Sequence, residues 1–250
     1  MSQPMIGVPF LYREREVAEL KYYIENRWPS VIVHGMKGAG KTTVTKFVLD
    51  TLAQTNGHSS DGKTNGQKGG GHGPLNYSWI NCWEKMTPAQ MYRNILLDIQ
   101  SSPGDIVDID GDCNWSNYKR SKCNKPTLFV QKLKEHYSSQ IVTETGHFSD
   151  RRPQLVLVLD HVEILMQQND QESRLLVNLI HSLNEVLLDT VAVSVIMISR
   201  MSPTNLLSFS IDFHSPISIF FKSYNFNQIM GILKTLKPDT VTQNDSFYEK

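Results

Sequence analysis

The sequence lacks an excess of charge of either sign, because its 250 residues include 25 basic and 25 acidic side chains. A domain that binds nucleic acid on its own usually carries a basic excess, since the phosphate backbone supplies most of the attraction. The balance argues against an autonomous DNA-binding domain and leaves open DNA contact within a larger assembly. Apolar residues at 40% and charged residues at 20% are typical of a globular domain with a core.

Cysteine is also scarce, with Cys82, Cys113 and Cys123 as the full set and no CxxC pair among them. A disulfide framework or a structural zinc site is therefore not expected, and a reducing intracellular compartment is the default. No apolar run reaches the roughly 18 residues of a membrane span, so we expect no membrane partner. Residues 1–9 lack the basic and apolar segments of a secretory signal.

Short apolar runs alternate with amphipathic segments along the chain, which predicts a parallel α/β sheet flanked by helices. Residues 155–159 are five consecutive aliphatic residues, as in a strand that is buried on both faces. Residues 54–74 are almost free of apolar side chains and are expected to form a disordered insertion. The predicted strands are 31–33, 77–82, 155–159, 191–198 and 217–221, and the predicted helices are 13–27, one from 41, 88–100, 127–137, 174–188 and 225–236.

Residues 35–42 match the phosphate-binding motif G-x-x-x-x-G-K-[ST], between a predicted strand and a predicted helix. Glycines let the backbone wrap a phosphate closely, and the helix N-terminus adds a positive dipole end. A lysine supplies a point charge for the β- and γ-phosphates, and a hydroxyl can ligand Mg²⁺. The nucleotide-binding residues predicted here are Gly35, Lys37, Gly38, Ala39, Gly40, Lys41, Thr42 and Thr43.

Asp160 follows the buried run 155–159 and would lie at the carboxyl end of its strand, where open α/β sheets bind ligands. Thr42 and Asp160 are therefore the predicted Mg²⁺ ligands. ATPases of this design commonly place a glutamate directly after the aspartate, to orient the attacking water. His161 occupies that position here, which predicts weak hydrolysis or none. The alternative is that Glu163 moves in as the base.

Ser199 ends the predicted strand 191–198 and would lie beside the γ-phosphate. It either hydrogen-bonds a phosphate or a water, or only begins a loop. Arg200 and Arg174 are possible arginine fingers, although each is more often a solvated surface charge. Trp79 and Trp83 flank the second strand, and core packing is sufficient to explain them.

With these elements placed, the chain resembles the AAA+ initiator ATPases, the family of the origin recognition complex subunits. The resemblance covers about residues 8–236. It rests on five segments of the chain. They are Arg13–Glu16, which follows residues 8–10; residues 29–35, which lead into 40–42; Asn81 and Cys82; residues 157–160, which precede a residue other than glutamate; and residues 220–224 with 229–233, at the start of the lid.

The resemblance implies ATP and Mg²⁺ bound between subunits of a hetero-oligomeric complex that contacts DNA as an assembly and loads the replicative helicase in the nucleus. Val8, Phe10 and Arg13 would join the nucleotide site on the adenine side, and Tyr224 would join it from the lid. Residues 1–222 would form the α/β core of the AAA+ P-loop NTPase, and 223–250 only the start of a truncated helical lid. A hydrolysing AAA+ or signalling-type ATPase remains the alternative.

Overall fold

The structure is a computed structural model that describes residues 11–57, 74–84, 87–100, 126–142, 152–164, 183, 190–207 and 216–236. Val8, Phe10, most of the insertion expected at 54–74 and nearly all of the helix predicted over 174–188 lie outside the described residues. Of this insertion, residues 54–57 are described, and they are the last residues of a helix. The composition instead predicts that disorder begins at residue 54.

Five strands form one sheet, and every pairing in it is parallel. The strand order is β2-β3-β4-β1-β5. The sequence predicts all five, each within two residues of its observed position. They are β1 (Ser30–Gly35), β2 (Leu75–Asn81), β3 (Gln154–Asp160), β4 (Ala192–Ser199) and β5 (Ile217–Phe221). The prediction of a parallel α/β sheet flanked by helices is confirmed.

Six described helices flank this sheet. They are α1 (Glu14–Glu25), α2 (Lys41–Gly57), α3 (Pro88–Gln100), α4 (Pro126–Val142), α5 (Pro203–Leu207) and α6 (Phe226–Leu236). Helix α3 has the predicted bounds. Helix α4 extends five residues beyond the predicted end at 137.

The core has two layers, one on each face of the sheet. On β3, Leu155, Leu157 and Leu159 belong to one layer. Val156 and Val158 belong to the other. Successive side chains of a strand point to opposite faces, so an unbroken aliphatic run supplies both layers at once. Helices α3 and α4 complete the first layer with a stacked pair of rings, Tyr92 and Phe129, whose centroids lie 4.8 Å apart, and α1 and α2 complete the second.

The strand order brings the carboxyl ends of β1, β3 and β4 to one edge of the sheet. β1 lies between β4 and β5, whereas β2, the next strand along the chain, lies at the opposite edge of the sheet beside β3. Such a switch in connection opens a crevice beyond the strand ends, where ligands of parallel sheets bind. Across the described residues, the structure has no helix of the length and apolarity that crossing a membrane requires.

Candidate nucleotide-binding site

The loop between β1 and α2 has the backbone that its glycines predict. Gly38 and Gly40 have φ angles of +79° and +87°, in the left-handed region that side chains rarely adopt. Gly35, with φ at +149°, also has a backbone that side chains rarely adopt, and a Cβ there would lie 2.3 Å from the carbonyl oxygen of Phe221 on β5. The first glycine is therefore required by strand packing as well as by its backbone, and the other two by the curvature of the loop.

Lys41, the first residue of α2, is 8% exposed. Its Nζ donates hydrogen bonds to the carbonyl oxygens of Gly35 (2.8 Å) and Met36 (2.9 Å). Burial lowers the pKa of Lys41, while the carboxylates of Glu163 and Asp160 act in the opposite direction. The ammonium group is thus held at the mouth of the loop, with two carboxylates close enough to affect it.

Asp160 and Thr42 face each other from different elements. The Thr42 hydroxyl donates to Asp160 Oδ1 at 3.4 Å, and Asp160 is 4% exposed. Burial raises the pKa of Asp160, and this rise is opposed by His161 and by the hydrogen bond from Thr42. Two oxygen ligands of the kind that Mg²⁺ prefers are therefore adjacent to the phosphate loop, as the sequence predicts.

His161 comes directly after β3 and has a left-handed backbone, with φ at 60°. A non-glycine residue in this region is uncommon, and it turns the chain sharply after Asp160. The ring is about a third exposed, with Nε2 3.9 Å from Asp160 Oδ1 and Nδ1 3.7 Å from Glu163 Oε1. The position next to the aspartate thus holds a solvent-facing imidazole.

Glu163 is buried, at 4% exposure, and both of its carboxylate oxygens have partners. Arg200 Nε donates to Oε1 at 2.8 Å, and the Arg200 backbone amide donates to Oε2 at 3.4 Å. Burial alone would raise the pKa of Glu163, but hydrogen bonds from Arg200, its own amide and Ser199 outweigh this and lower it. The carboxylate is therefore ionised and held against Arg200.

Ser199, the last residue of β4, is 1% exposed. Its hydroxyl oxygen accepts a hydrogen bond from the Met201 amide at 2.9 Å, and its side chain also bonds Glu163. The residue thus begins a turn, as one of its two predicted roles requires. It also lines the cavity beside the phosphate loop, so the other role, at a phosphate or a water, stays a prediction.

Arg13 and Tyr224 meet on the other side of the loop. The Arg13 guanidinium lies 4.0 Å from the centroid of the Tyr224 ring, donates to the Lys222 carbonyl oxygen and pairs with Glu16 at 2.7 Å. The Tyr224 hydroxyl oxygen lies 3.3 Å from where a Cβ on Gly40 would be. Tyr224 therefore contacts the phosphate loop, whereas Arg13 stands behind it. Their predicted roles at the nucleotide stay predictions.

A cavity of 290 Å³ lies beside the phosphate loop, at the carboxyl edge of the sheet, and Arg13, Glu163 and Tyr224 are not among the residues that line it. The loop residues, the strand-end residues and one hydrophobic side chain line it together. They are Lys37, Gly38, Gly40, Lys41, Thr42, Thr43, Asp160, His161, Ile198, Ser199 and Arg200. Ala39, also predicted here, is buried at 2% exposure beneath the loop.

Two features of the site were not predicted from the sequence. Arg200 was expected to be a solvated charge or an arginine finger, and it is ion-paired with Glu163 in its own chain. Trp83 was expected in the core, but it is 57% exposed, edge-on to His161 at 5.6 Å and 5.7 Å from the Arg200 guanidinium. A signal for Trp83 existed, since it lies two residues beyond β2, at the same sheet edge as Asp160. Only Trp79 packs against the core.

A parallel sheet with a glycine loop before a helix and an aspartate on a neighbouring strand defines a P-loop nucleotide-binding protein. The AAA domain matches residues 26–201, well over half of the chain. The chain therefore belongs to the AAA family of nucleotide-binding domains. A comparison with curated protein sequences finds no match.

Solved structures share this fold. The Drosophila origin recognition complex bound to DNA matches at a TM-score of 0.52 and 16% identity, over 93% of this chain and 48% of that one. The Aeropyrum pernix ORC2 protein in its ADP form matches at 0.56 and 14%, over 94% and 54%. A Walker-type ATPase of Pyrococcus abyssi matches at 0.51 and 13%, over 90% and 57%. The chain thus spans about half the length of these relatives.

Proposed function

We propose that this chain is an ATP-binding subunit of an origin recognition complex, which acts in DNA replication initiation and helicase loading with weak hydrolysis or none. One observation carries the proposal. The complete phosphate loop faces Asp160, while the residue after Asp160 is His161 and the nearest other carboxylate, Glu163, is bound to Arg200. Among the described residues, the site has the groups that hold a triphosphate, and the position that follows Asp160 is a histidine and not a glutamate.

Mg²⁺ fits this site, because Thr42 and Asp160 place two oxygen ligands 3.4 Å apart next to the loop. When bound, the ion would supply positive charge that neutralises the phosphate oxygens of the nucleotide. Asp160 and the Thr42 hydroxyl would hold it or its water shell. Lys41 would supply the second positive charge from the loop side.

Weak hydrolysis is supported by the geometry of both base candidates. A general base must lie within hydrogen-bond reach of the water from which it takes a proton. The His161 ring is about a third exposed and projects from a left-handed backbone turn. Glu163 is held against Arg200 by a hydrogen bond to each of its oxygens, and its lowered pKa makes the carboxylate a weaker base.

The role in initiation, the partners and the location belong to the proposal. The resemblance of the segments around Arg13, 29–35 and 220–224 supports the assignment as subunit 5 of the complex. The similarity in fold to the Drosophila complex agrees with this. The zero net charge argues against autonomous DNA binding and leaves open DNA contact through the assembled complex with its other subunits. We propose that this complex acts in the nucleus.

We also propose that 1–222 forms the nucleotide-binding core, with an insertion around 54–74, and that 223–250 begins a helical lid. Helix α6 supports the second part. Its side chains at one helical spacing are exposed, with Phe226 at 75%, Ile229 at 44% and Leu233 at 55%. An apolar stripe of this kind is the face by which a helix packs against others.

The direct test is to identify the nucleotide that remains bound to the purified chain and to measure its turnover. We expect retained ATP and turnover near background, with both nucleotide and Mg²⁺ lost in the Lys41→Ala variant. Turnover in the range of ordinary enzymes, roughly 1–10³ s⁻¹, would sink the claim of weak hydrolysis. Co-expression with the other complex subunits tests the assembly role, which is wrong if the chain never co-purifies with them.

A working ATPase is the second candidate, and one observation favours it. Glu163 is buried and ionised, within 3.7 Å of His161 Nδ1 at the edge of the site. If it moves onto the water in the nucleotide complex, Glu163→Gln abolishes turnover. If Glu163→Gln leaves a measurable rate unchanged, Glu163 is not the base.

A further inference from the structure

Arg200 lies between the nucleotide cavity and the buried Glu163. It follows β4, lines the nucleotide cavity, and its side chain is 39% exposed. Glu163, the acceptor of its Nε hydrogen bond, is 4% exposed. The ion pair therefore has its cation in the wall of the cavity and its anion in the protein behind that wall.

Arg200 lies in the part of the cavity wall that the third phosphate of a nucleotide would face. Loop amides and the N-terminus of α2 hold a phosphate on one side of the cavity, and the lysine reaches the next. Asp160, Ser199 and Arg200 form the opposite wall, at the ends of β3 and β4. The third phosphate of a triphosphate would therefore lie closer to this wall, whereas a diphosphate would end nearer the loop.

Four charged groups interact at this side of the cavity. Lys41 and Arg200 are the cations, and Asp160 and Glu163 are the carboxylates, while Lys37 also lines the cavity. The other three charges all act on the pKa of Lys41, so the four groups lie within electrostatic range of one another. Without Arg200, the buried carboxylate of Glu163 would be uncompensated beside the place where a third phosphate adds negative charge.

We propose that Arg200 sets the preference of this site for a nucleoside triphosphate over a diphosphate, by neutralising the buried carboxylate of Glu163 next to the terminal phosphate. The inference rests on the proposed nucleotide-binding function and identifies the residue pair that distinguishes a triphosphate from a diphosphate. Arg200 acts here as a specificity determinant in its own chain, through charge, and takes no part in a bond-making step.

The sign of each substitution follows from the charge that it removes. Arg200→Ala removes one positive charge, so the affinity for a triphosphate falls more than the affinity for a diphosphate. Glu163→Gln removes one negative charge and shifts the ratio of the two affinities in the opposite direction. The double variant Glu163→Gln/Arg200→Ala restores the net charge and the ratio. One unit charge acting over a partly buried cavity corresponds to about tenfold in that ratio.

The experiment measures dissociation constants of a non-hydrolysable ATP analogue and of ADP, both with Mg²⁺, on the full chain by calorimetry. The matched control is the ion pair of Arg15 and Glu19 on α1, which joins the same two atoms, Nε and Oε1, at the same 2.8 Å. Arg15→Ala and Glu19→Gln change the total charge by the same amounts outside the cavity. We expect them to leave the ratio of the two constants within about twofold of the unsubstituted chain.

Opposite shifts of about tenfold in the two single variants, with the ratio restored in the double variant, support the proposal. Glu163→Gln tests it even if Arg200→Ala does not fold. Equal loss of both nucleotides, or ratios unchanged in Glu163→Gln, overturns the inference alone. If the unsubstituted chain binds neither nucleotide, the proposed function fails and the inference fails with it.

Discussion

Asp160 is buried, although its predicted role is to bind Mg²⁺ as a charged carboxylate. Burial raises its pKa, so its charge at neutral pH costs stability in the folded state. The hydrogen bond from Thr42 offsets part of this cost. We therefore expect the charge of Asp160 to serve binding and not the stability of the fold.

Asp160→Asn should therefore separate binding from stability. We expect binding of ATP with Mg²⁺ to weaken by about tenfold or more, since one cation ligand is lost. The melting temperature of the nucleotide-free protein should not fall, because a neutral amide replaces a buried charge. Titration with and without EDTA measures the first, and a thermal scan the second. A lower melting temperature with unchanged Mg²⁺ dependence would contradict this role.

Cys82 lies directly after β2 and is 6% exposed. Burial raises its pKa to about 12, with the carboxylates of Asp160 and Glu163 adding to the rise. The thiolate is the reactive form, so we expect Cys82 to resist alkylation at pH 8 in the folded protein. Peptide mass spectrometry would measure the labelling, with denatured protein as the control. Rapid labelling of the folded chain at this residue would show that the site opens.

The phosphate loop and β5 are joined at Gly35. A Cβ there would lie 2.3 Å from the Phe221 carbonyl oxygen, whereas one on Gly38 would have no described heavy atom within 4 Å. The two glycines thus share a motif for different reasons. Gly35 keeps two paired strands together, and Gly38 allows a left-handed loop residue.

The matched variants Gly35→Ala and Gly38→Ala should differ in stability. Gly38→Ala should cost about 1–2 kcal/mol, the penalty for a side chain in the left-handed region. Gly35→Ala should cost more than about 3 kcal/mol, because a backbone carbonyl cannot move aside without parting β1 from β5. Urea unfolding compares the two. Equal midpoints would show that the strands adjust freely.

Arg13 connects α1 to the segment between β5 and α6. Its guanidinium stacks on Tyr224 at 4.0 Å and donates to the Lys222 carbonyl oxygen, and its residue is 3% exposed. Tyr224 in turn contacts Gly40 of the loop. The N-terminus of the first helix therefore positions a ring whose hydroxyl lies beside Gly40 of the phosphate loop.

Arg13→Ala should lower the free energy of unfolding by about 2 kcal/mol, from the lost cation–π contact and hydrogen bond. We also expect weaker ATP binding, since Tyr224 loses its support. Arg15→Ala is the matched control two residues away, because that side chain is 85% exposed, and its melting temperature should not change measurably. Equal behaviour of the two variants would contradict a positioning role for Arg13.

Nucleotide binding should raise the stability of the whole molecule, because the loop, Asp160 and Tyr224 come from separate parts of the fold. A ligand bound only by the folded state stabilises it by about 2.7 kcal/mol at 100 times its dissociation constant. For a chain of this size that corresponds to a rise of about 5–10 °C in melting temperature. ATP with Mg²⁺ should produce this rise in a thermal scan and should fail to do so for Lys41→Ala. A rise of the same size in that variant would mean that ATP binds elsewhere.

Sequence patterns were sufficient for the strands, most helices, the phosphate loop and Asp160, because each depends on neighbours along the chain. A buried parallel strand needs only its own run of aliphatic residues, and the loop needs glycines at set spacings. Which strands lie side by side was not readable in this way, and neither was the ion pair of Glu163 with Arg200, which are 37 residues apart.

Only the tertiary structure decided which side chains lie around the nucleotide cavity. The sequence determined that His161 follows Asp160 where a glutamate is common, and therefore that the usual base is absent. Only the fold decided that Glu163 is turned toward Arg200, that Trp83 lies outside the core and that Tyr224 covers Gly40. Each of these contacts joins strands or helices distant in the chain, so its energy depends on the packed sheet and leaves no periodic signal in the sequence.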